Sequence, residues 1–213
     1  MSDRATPAGQ QVPSQVLRQV CDSVIDNLGE RSLRMLFAQS GLQHYYNGGA
    51  LPPDDDTPSM TVTELSHLFA TAFRIFGERG MRPILLRAGR TSLKHFRESN
   101  KTLAALAGAA FKVLPTDAKI KLVLSRSAKI AEELLHAPHR TYDTDAGFFV
   151  EISTCPYCAG SQAEQPICFF PLGFYGEAIR WATGATYPVE EVECIAQGGK
   201  HCLIRIGRQP EAV

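Results

Sequence analysis

Five of the chain's six cysteines fall between residues 155 and 202, and they constrain it more than any other feature. They run Cys155-Pro-Tyr-Cys158, then Cys168, then Glu191-Val-Glu-Cys194, then Cys202 after Gly198-Gly199. Thiols this dense, in a chain otherwise almost free of cysteine, point to a metal site, a redox pair or disulfides. Met1 to Pro13 is polar and has no apolar signal core, so the expected compartment is cytoplasmic and reducing. Persistent disulfides are then the weaker explanation, and a metal site or a reactive thiol pair moves ahead.

Zinc takes four soft or borderline ligands in a tetrahedron, and thiolates bind it tightly. Cys194 and Cys202 lie on the two arms of a hairpin about Gly198-Gly199. A three-residue Gln197-Gly198-Gly199 loop sets these cysteines directly opposite each other, whereas a two-residue loop pairs Ile195 with Cys202. Cys168 opens the helix that leads to the hairpin, and Glu191 is the candidate fourth ligand. One obstacle stands against Glu191: residues three apart on a regular strand face opposite sides. A bulge, or a strand starting only near Val192, removes it. Cys155 and Cys158 have three readings: additional ligands of an all-cysteine metal site, a redox dithiol, or a thiol pair on a lid. An iron–sulfur cluster on four of the five clustered cysteines is the alternative cofactor.

Apolar periodicity sets the rest. Residues 1–13 read as a disordered leader. Helical stripes follow over 14–28, with Cys21 as a small buried hydrophobe and Gly29 as the stop, and over 30–40. Residues 42–59, with Pro52-Pro53 and three aspartates, read as a long loop. Thr61 and Glu64 form a capping box for a helix that ends at Gly77 and Gly80, and Pro83 opens the next segment to Ser99. Residues 101–114 read as an alanine-rich buried helix, and Asp117 caps a long one to Leu135. A strand over Tyr142–Ser153, a helix over Pro166–Thr183 and a hairpin over 188–206 complete an α+β fold. The expected organisation is a single compact domain with a helical portion, 14–137, and a strand–helix–hairpin portion, 138–208.

Lysine plus arginine equals aspartate plus glutamate, 22 each, so the charge balance does not favour nucleic acid as a partner. No window reaches the run of about 18 apolar residues that a membrane span needs. Phe170, Phe174 and Trp181 recur at near-helical spacing and, with Phe148, are the candidate lining of an apolar pocket. The same spacing also suits plain core.

Pro166-Ile-Cys168-Phe-Phe, Gly173-Phe-Tyr-Gly176 and Glu191-Val-Glu-Cys194-Ile-Ala-Gln-Gly198-Gly-Lys-His-Cys202 resemble the 4-vinyl reductase-like, or hydrocarbon-binding, domain family. The likeness covers roughly residues 140–207; Arg87-Ala-Gly-Arg90 and the helices before it fit more loosely. The family includes proteins of (bacterio)chlorophyll biosynthesis and sensor domains of phenol-responsive activators. The resemblance implies helices around a small twisted antiparallel sheet, as in vesicle-tethering complex subunits, and a homodimer through N-terminal helices. It also implies a structural zinc held by three cysteines and a glutamate, which fall here on Cys168, Glu191, Cys194 and Cys202. Cys155 and Cys158 lie outside that ligand set.

The function expected is therefore a module that encloses an apolar or aromatic molecule, a tetrapyrrole or its precursor included, beside a structural zinc. The alternatives are a reductase acting on a tetrapyrrole vinyl group and a scaffold or assembly protein. For the reductase, no Gly-x-Gly-x-x-Gly follows a strand to hold a dinucleotide.

Overall fold

The structure, a computed structural model, describes residues 9–212. Of the expected leader, residues 1–8 lie outside the described residues. Its end is ordered into a short strand, β1 (Gln11–Pro13). Two helices follow within the bounds that the periodicity predicts, α1 (Ser14–Leu28) and α2 (Glu30–Ser40). Val16, Leu17, Val20, Cys21 and Val24 of α1 are buried, and burial pushes the Cys21 thiol up to about 12. The region read as a long loop holds a 3-10 turn, Gln43–Gly49, and a strand, β2 (Pro58–Thr61), that pairs with β1.

Helix α3 (Val62–Ser99) starts at the expected capping box. The Glu64 N–H donates to the Thr61 hydroxyl at 3.2 Å, and the Thr61 N–H donates back to the Glu64 carboxylate at 2.8 Å. Gly77, at φ 69°, breaks the helix as expected, but the helix resumes at once, with Gly80 and Pro83 inside its second half. Helices α4 (Lys101–Val113) and α5 (Thr116–Leu135) come next. Residue 115, a proline, occupies the N-cap of α5, so Asp117 sits in its first turn instead of capping it. α4 corrects a second expectation: it is a helix but not a buried one, with Leu106 66% and Val113 82% exposed. Among its described side chains Phe111 alone is buried, which is too little apolar surface to bury the whole element.

The stretch read as one strand is a hairpin, β3 (His139–Thr144) and β4 (Gly147–Ile152), with the chain reversing at Asp145-Ala146. Helix α6 (Phe169–Thr183) and the strands β5 (Val189–Glu193) and β6 (Cys202–Ile206) complete the chain. The antiparallel sheet has the order β3-β4-β6-β5. β4 is central, and its Phe148, Val150 and Ile152 are fully buried beneath the helices. The class is α+β, mostly helical with a small antiparallel sheet.

One crossing positions everything that follows. α3 and α6 meet backbone to backbone at Gly89 and Gly173. A Cβ on Gly89 would stand 2.1 Å from the Phe170 carbonyl oxygen, and one on Gly173 2.1 Å from the Leu86 carbonyl oxygen. Only glycine allows that approach, and it holds the start of α6 over the end of the sheet. Among the described residues no helix is long and apolar enough to cross a membrane.

Candidate metal centre and ligand cavity

The start of α6, the mouth of the β5–β6 hairpin and the 155–158 turn converge on one buried point. Cys168 occupies the N-cap of α6, one residue before the first turn. Glu193 pairs with Leu203. One step inward, Cys194 and Cys202 therefore face each other across the loop mouth, as the three-residue reading of the loop requires. The loop itself is longer, because Ile195–Gln197 form a 3-10 turn. The Cys194 carbonyl accepts from the N–H groups of Gln197 (3.1 Å) and Gly199 (3.0 Å), which folds the turn back beneath the cysteine.

The strand obstacle to Glu191 is removed by a bulge. Pairing shifts between Glu191 and Glu193, so Val192 is the extra residue and points to solvent at 45% exposure. With the alternation reset, Glu191 and Cys194 both turn inward and are buried.

The donor atoms of Cys168, Glu191, Cys194 and Cys202 all lie within 4.8 Å of one another. Cys168 Sγ is 3.5 Å from Cys202 Sγ and 4.0 Å from Cys194 Sγ. Ligands of a tetrahedral ion with metal–thiolate bonds of ~2.3 Å stand ~3.8 Å apart, so the donor set fits zinc. Glu191 carries an independent sign. Its Oε2 accepts from the Cys168 N–H at 2.9 Å, while Oε1 is buried without any partner. A buried carboxylate oxygen left unpaired is costly, and a cation would satisfy it. Burial raises the Glu191 carboxyl above its ordinary value, and a cation at the site would act in the opposite direction and favour the carboxylate.

Cys155 and Cys158 are drawn to the same point, each 1% exposed. Tyr157 between them is the anchor: its ring stacks on Phe170 at 4.8 Å and packs against Phe69 at 5.3 Å. With that ring in the core, both flanking thiols point inward, and the Ala159 N–H donates to the Cys155 carbonyl to close the turn. A second quartet, Cys155, Cys158, Cys168 and Cys202, also lies within 4.8 Å. Burial pushes the Cys155 and Cys168 thiols up, while hydrogen bonding, first from Cys155, pulls Cys158 down. Tyr157 could have been found from the sequence only by asking what a tyrosine does inside a C-x-x-C.

The four aromatic pocket candidates are not brought together. Phe170 and Phe174 line a small cavity of about 30 Å³ with Tyr157, Tyr175 and His139. Phe148 lies elsewhere, fully buried, with the Arg208 guanidinium 4.8 Å from its ring centre. Trp181 lines a different, partly open cavity of about 460 Å³ between α3, α4, α5 and α6. Its walls include Leu93, Phe96, Ala104, Phe111, Val123 and Ile130. Phe111 meets the Trp181 ring edge-on at 5.0 Å, and the Arg97 guanidinium lies 4.5 Å from the same ring's centre. Arg97 Nε is buried there without a partner. Leu93, Phe96, Arg97 and Phe111 carry no motif, and only the packing of separate helices gathers them.

Residues 148–208 match the model of the V4R domain, so the resemblance drawn from the cysteine-rich stretch is shown over these residues. An uncharacterized protein of Methanocaldococcus jannaschii is 25% identical over 64 residues, which is 30% of this chain and 35% of that protein. The chain thus spans about a third of the length of the curated relative it matches. Among solved structures, the phenol-responsive sensory domain of the transcription activator PoxR with phenol has a TM-score of 0.52 at 16% identity. That match covers 71% of this chain and 77% of that domain. An H-NOX protein mutant from K. algicida, Fe(II) unliganded, gives 0.62 at 12% identity, covering 93% and 97%. An H-NOX protein from S. oneidensis in the Fe(II)NO state gives 0.58 at 12% identity, covering 94% and 99%. At these identities the likeness is one of fold. It lies with H-NOX proteins and a phenol-sensory domain, and the likeness to vesicle-tethering subunits is not shown.

Proposed function

We infer, for a chain that carries a V4R domain over residues 148–208, a small-molecule-binding module whose ligand occupies the 460 Å³ cavity beside Trp181. The observation that carries this reading is the unpartnered Arg97 Nε beside the Trp181 ring, in a wall of apolar and aromatic side chains that also carries Arg126, Ser127, Lys129 and Glu133. The volume falls in the range of ordinary ligand sites, roughly 300–1,000 Å³. A buried guanidinium N–H without a partner is costly, and the anionic group of a ligand would satisfy it. The ligand class is therefore an apolar or aromatic body bearing an acidic group. Sensory function in a fold relative with phenol bound supports a binding role.

A tetrapyrrole is less well served. Among the described residues no His, Cys, Met or Tyr lines the 460 Å³ cavity to ligate a haem-type iron. The cavity that does carry His139, Tyr157 and Tyr175 is of about 30 Å³, the size for a water. One observation does favour that smaller space as a second, phenol-like site: the Tyr175 hydroxyl is buried there without a partner. For the hairpin, the proposal is a structural zinc on Cys168, Glu191, Cys194 and Cys202, which ties α6 to β5 and β6. An iron–sulfur cluster is the competing occupant. The homodimer implied by the resemblance belongs to the same proposal.

Trp181 is the chain's one tryptophan, so its fluorescence reports directly on the cavity. Benzoate and longer aryl carboxylates are expected to change that emission saturably, and phenol more weakly. Arg97→Leu should weaken the carboxylates at least tenfold and leave phenol nearly unaffected. Emission that no aryl carboxylate or phenol alters saturably would remove this cavity as the site.

A further inference from the structure

We propose that the cysteine cluster holds two metal ions that share Cys168 and Cys202 as bridging thiolates, with Cys155 and Cys158 completing the second ion's shell. The proposal rests on the single-site reading above and extends it. Its basis is the way the two quartets overlap. Each is a set of four donors within 4.8 Å, and they have two members in common, Cys168 and Cys202, whose sulfurs are 3.5 Å apart. Two tetrahedra that share an edge need six donors, and six are present. This is the donor count of a Zn₂Cys₆ module with glutamate in place of one cysteine.

The distances treat the two halves alike. Cys155 Sγ is 3.4 Å from Cys168 Sγ, and Cys158 Sγ is 3.4 Å from Cys202 Sγ. The 155–158 pair is therefore joined to the shared edge at least as tightly as Cys194, at 4.0 Å, is joined to Cys168. All of these approach the ~3.8 Å spacing of ligands on one tetrahedral ion. Burial points the same way. Five thiols and a carboxylate, every one buried, form a dense set of potential negative charge. The second ion brings its own two positive charges to this set. The Tyr157 ring, held between Phe69 and Phe170, sets both thiols before any ion arrives.

The experiment is an anaerobic titration of the full chain, stripped of metal, with Co(II), followed by absorbance, electron paramagnetic resonance and native mass spectrometry. Two equivalents per chain are expected, with thiolate-to-cobalt charge transfer increasing through the second. The resonance of the first ion should be lost as the second binds, because bridging thiolates couple the two spins. In a Cys155→Ser/Cys158→Ser variant, saturation should fall to one equivalent and the resonance should persist. Saturation of the native chain at one equivalent overturns the proposal, with Cys155 and Cys158 then mere thiol donors to a single site. So does a second equivalent without loss of the resonance. If the native chain takes one ion and Cys194→Ser abolishes it, the single site stands and only the second ion falls. If the native chain takes one ion and the double variant abolishes it, both readings fall. The native titration decides the matter even where a variant fails to fold.

Discussion

The two ends of α6 lie in opposite kinds of surroundings. At its start, Cys168 is fully buried, Gly173 touches the backbone of α3, and donors from three other segments close in. At its end, Trp181 is only partly buried and looks into a cavity of about 460 Å³, whose outer wall, α4, leaves Leu106 and Val113 exposed. One end is held by closely packed buried donors and by backbone contact. The other is held by a few aromatic contacts and has room to spare. The difference teaches where rigidity and room are placed: close donors and backbone contact fix the base of the helix, and its far end borders open space.

The contrast breaks most readily at the tight end. Gly173→Ala forces a methyl to within 2.1 Å of the Leu86 carbonyl oxygen, a backbone atom that cannot swing aside. A loss of about 3 kcal/mol or more is expected, near the upper end for single substitutions. That corresponds to a melting temperature lower by roughly 10 °C in a chain of this size, read by circular dichroism. A shift of only a degree or two would show that α3 and α6 are not locked.

At the open end the effects are smaller and split by face. Phe111→Ala removes the buried edge-on partner of Trp181 and is expected to cost about 2 kcal/mol. It should also weaken aryl carboxylate binding. Leu106→Ala, on the exposed face of the same helix, should stay within about 0.5 kcal/mol. Equal costs for the two would mean that α4 is covered by something on its outer side, and sedimentation would then test for a dimer.

The smallest effect concerns pH. Burial holds His139 below its ordinary value, and its Nδ1–H donates to the Ala137 carbonyl at 2.6 Å. The folded state thus prefers the neutral ring. The unfolded chain takes up the proton first, so the stability due to the neutral ring is present above the unfolded value of about 6.5. It is lost as pH falls through the lower folded one. His139→Gln should make the melting temperature less acid-sensitive than that of the native chain, compared at equal metal content. An unchanged slope would show that the ring is solvated.

Parts of this structure were legible residue by residue. The stripes of α1 and α2 gave their bounds, and Thr61 with Glu64 announced the start of α3, because caps and helical periodicity are written in neighbouring residues. Cys168, Glu191, Cys194 and Cys202 were legible as candidate ligands, because donor chemistry leaves a mark in residue type, and the structure brings their donor atoms within 4.8 Å of one another. The β3–β4 reversal was missed because Asp145-Ala146-Gly147 interrupts the strand pattern too briefly to register. α4 was misjudged because alanine-rich helices look the same whether one face or all of them are covered.

What the sequence by itself determined is local and chemical: where most helices begin and end, and which side chains can ligate a metal. Only the tertiary structure decided that Val192 bulges so that Glu191 and Cys194 turn to one side, and that Tyr157 carries both flanking thiols to the same point. It alone decided that Trp181 belongs to a different cavity from Phe170 and Phe174. The physical reason is the range of the forces. Periodicity and capping act within a turn or two of helix, whereas a cluster and a cavity are made by surfaces that meet only when α3, α5, α6 and the sheet have packed.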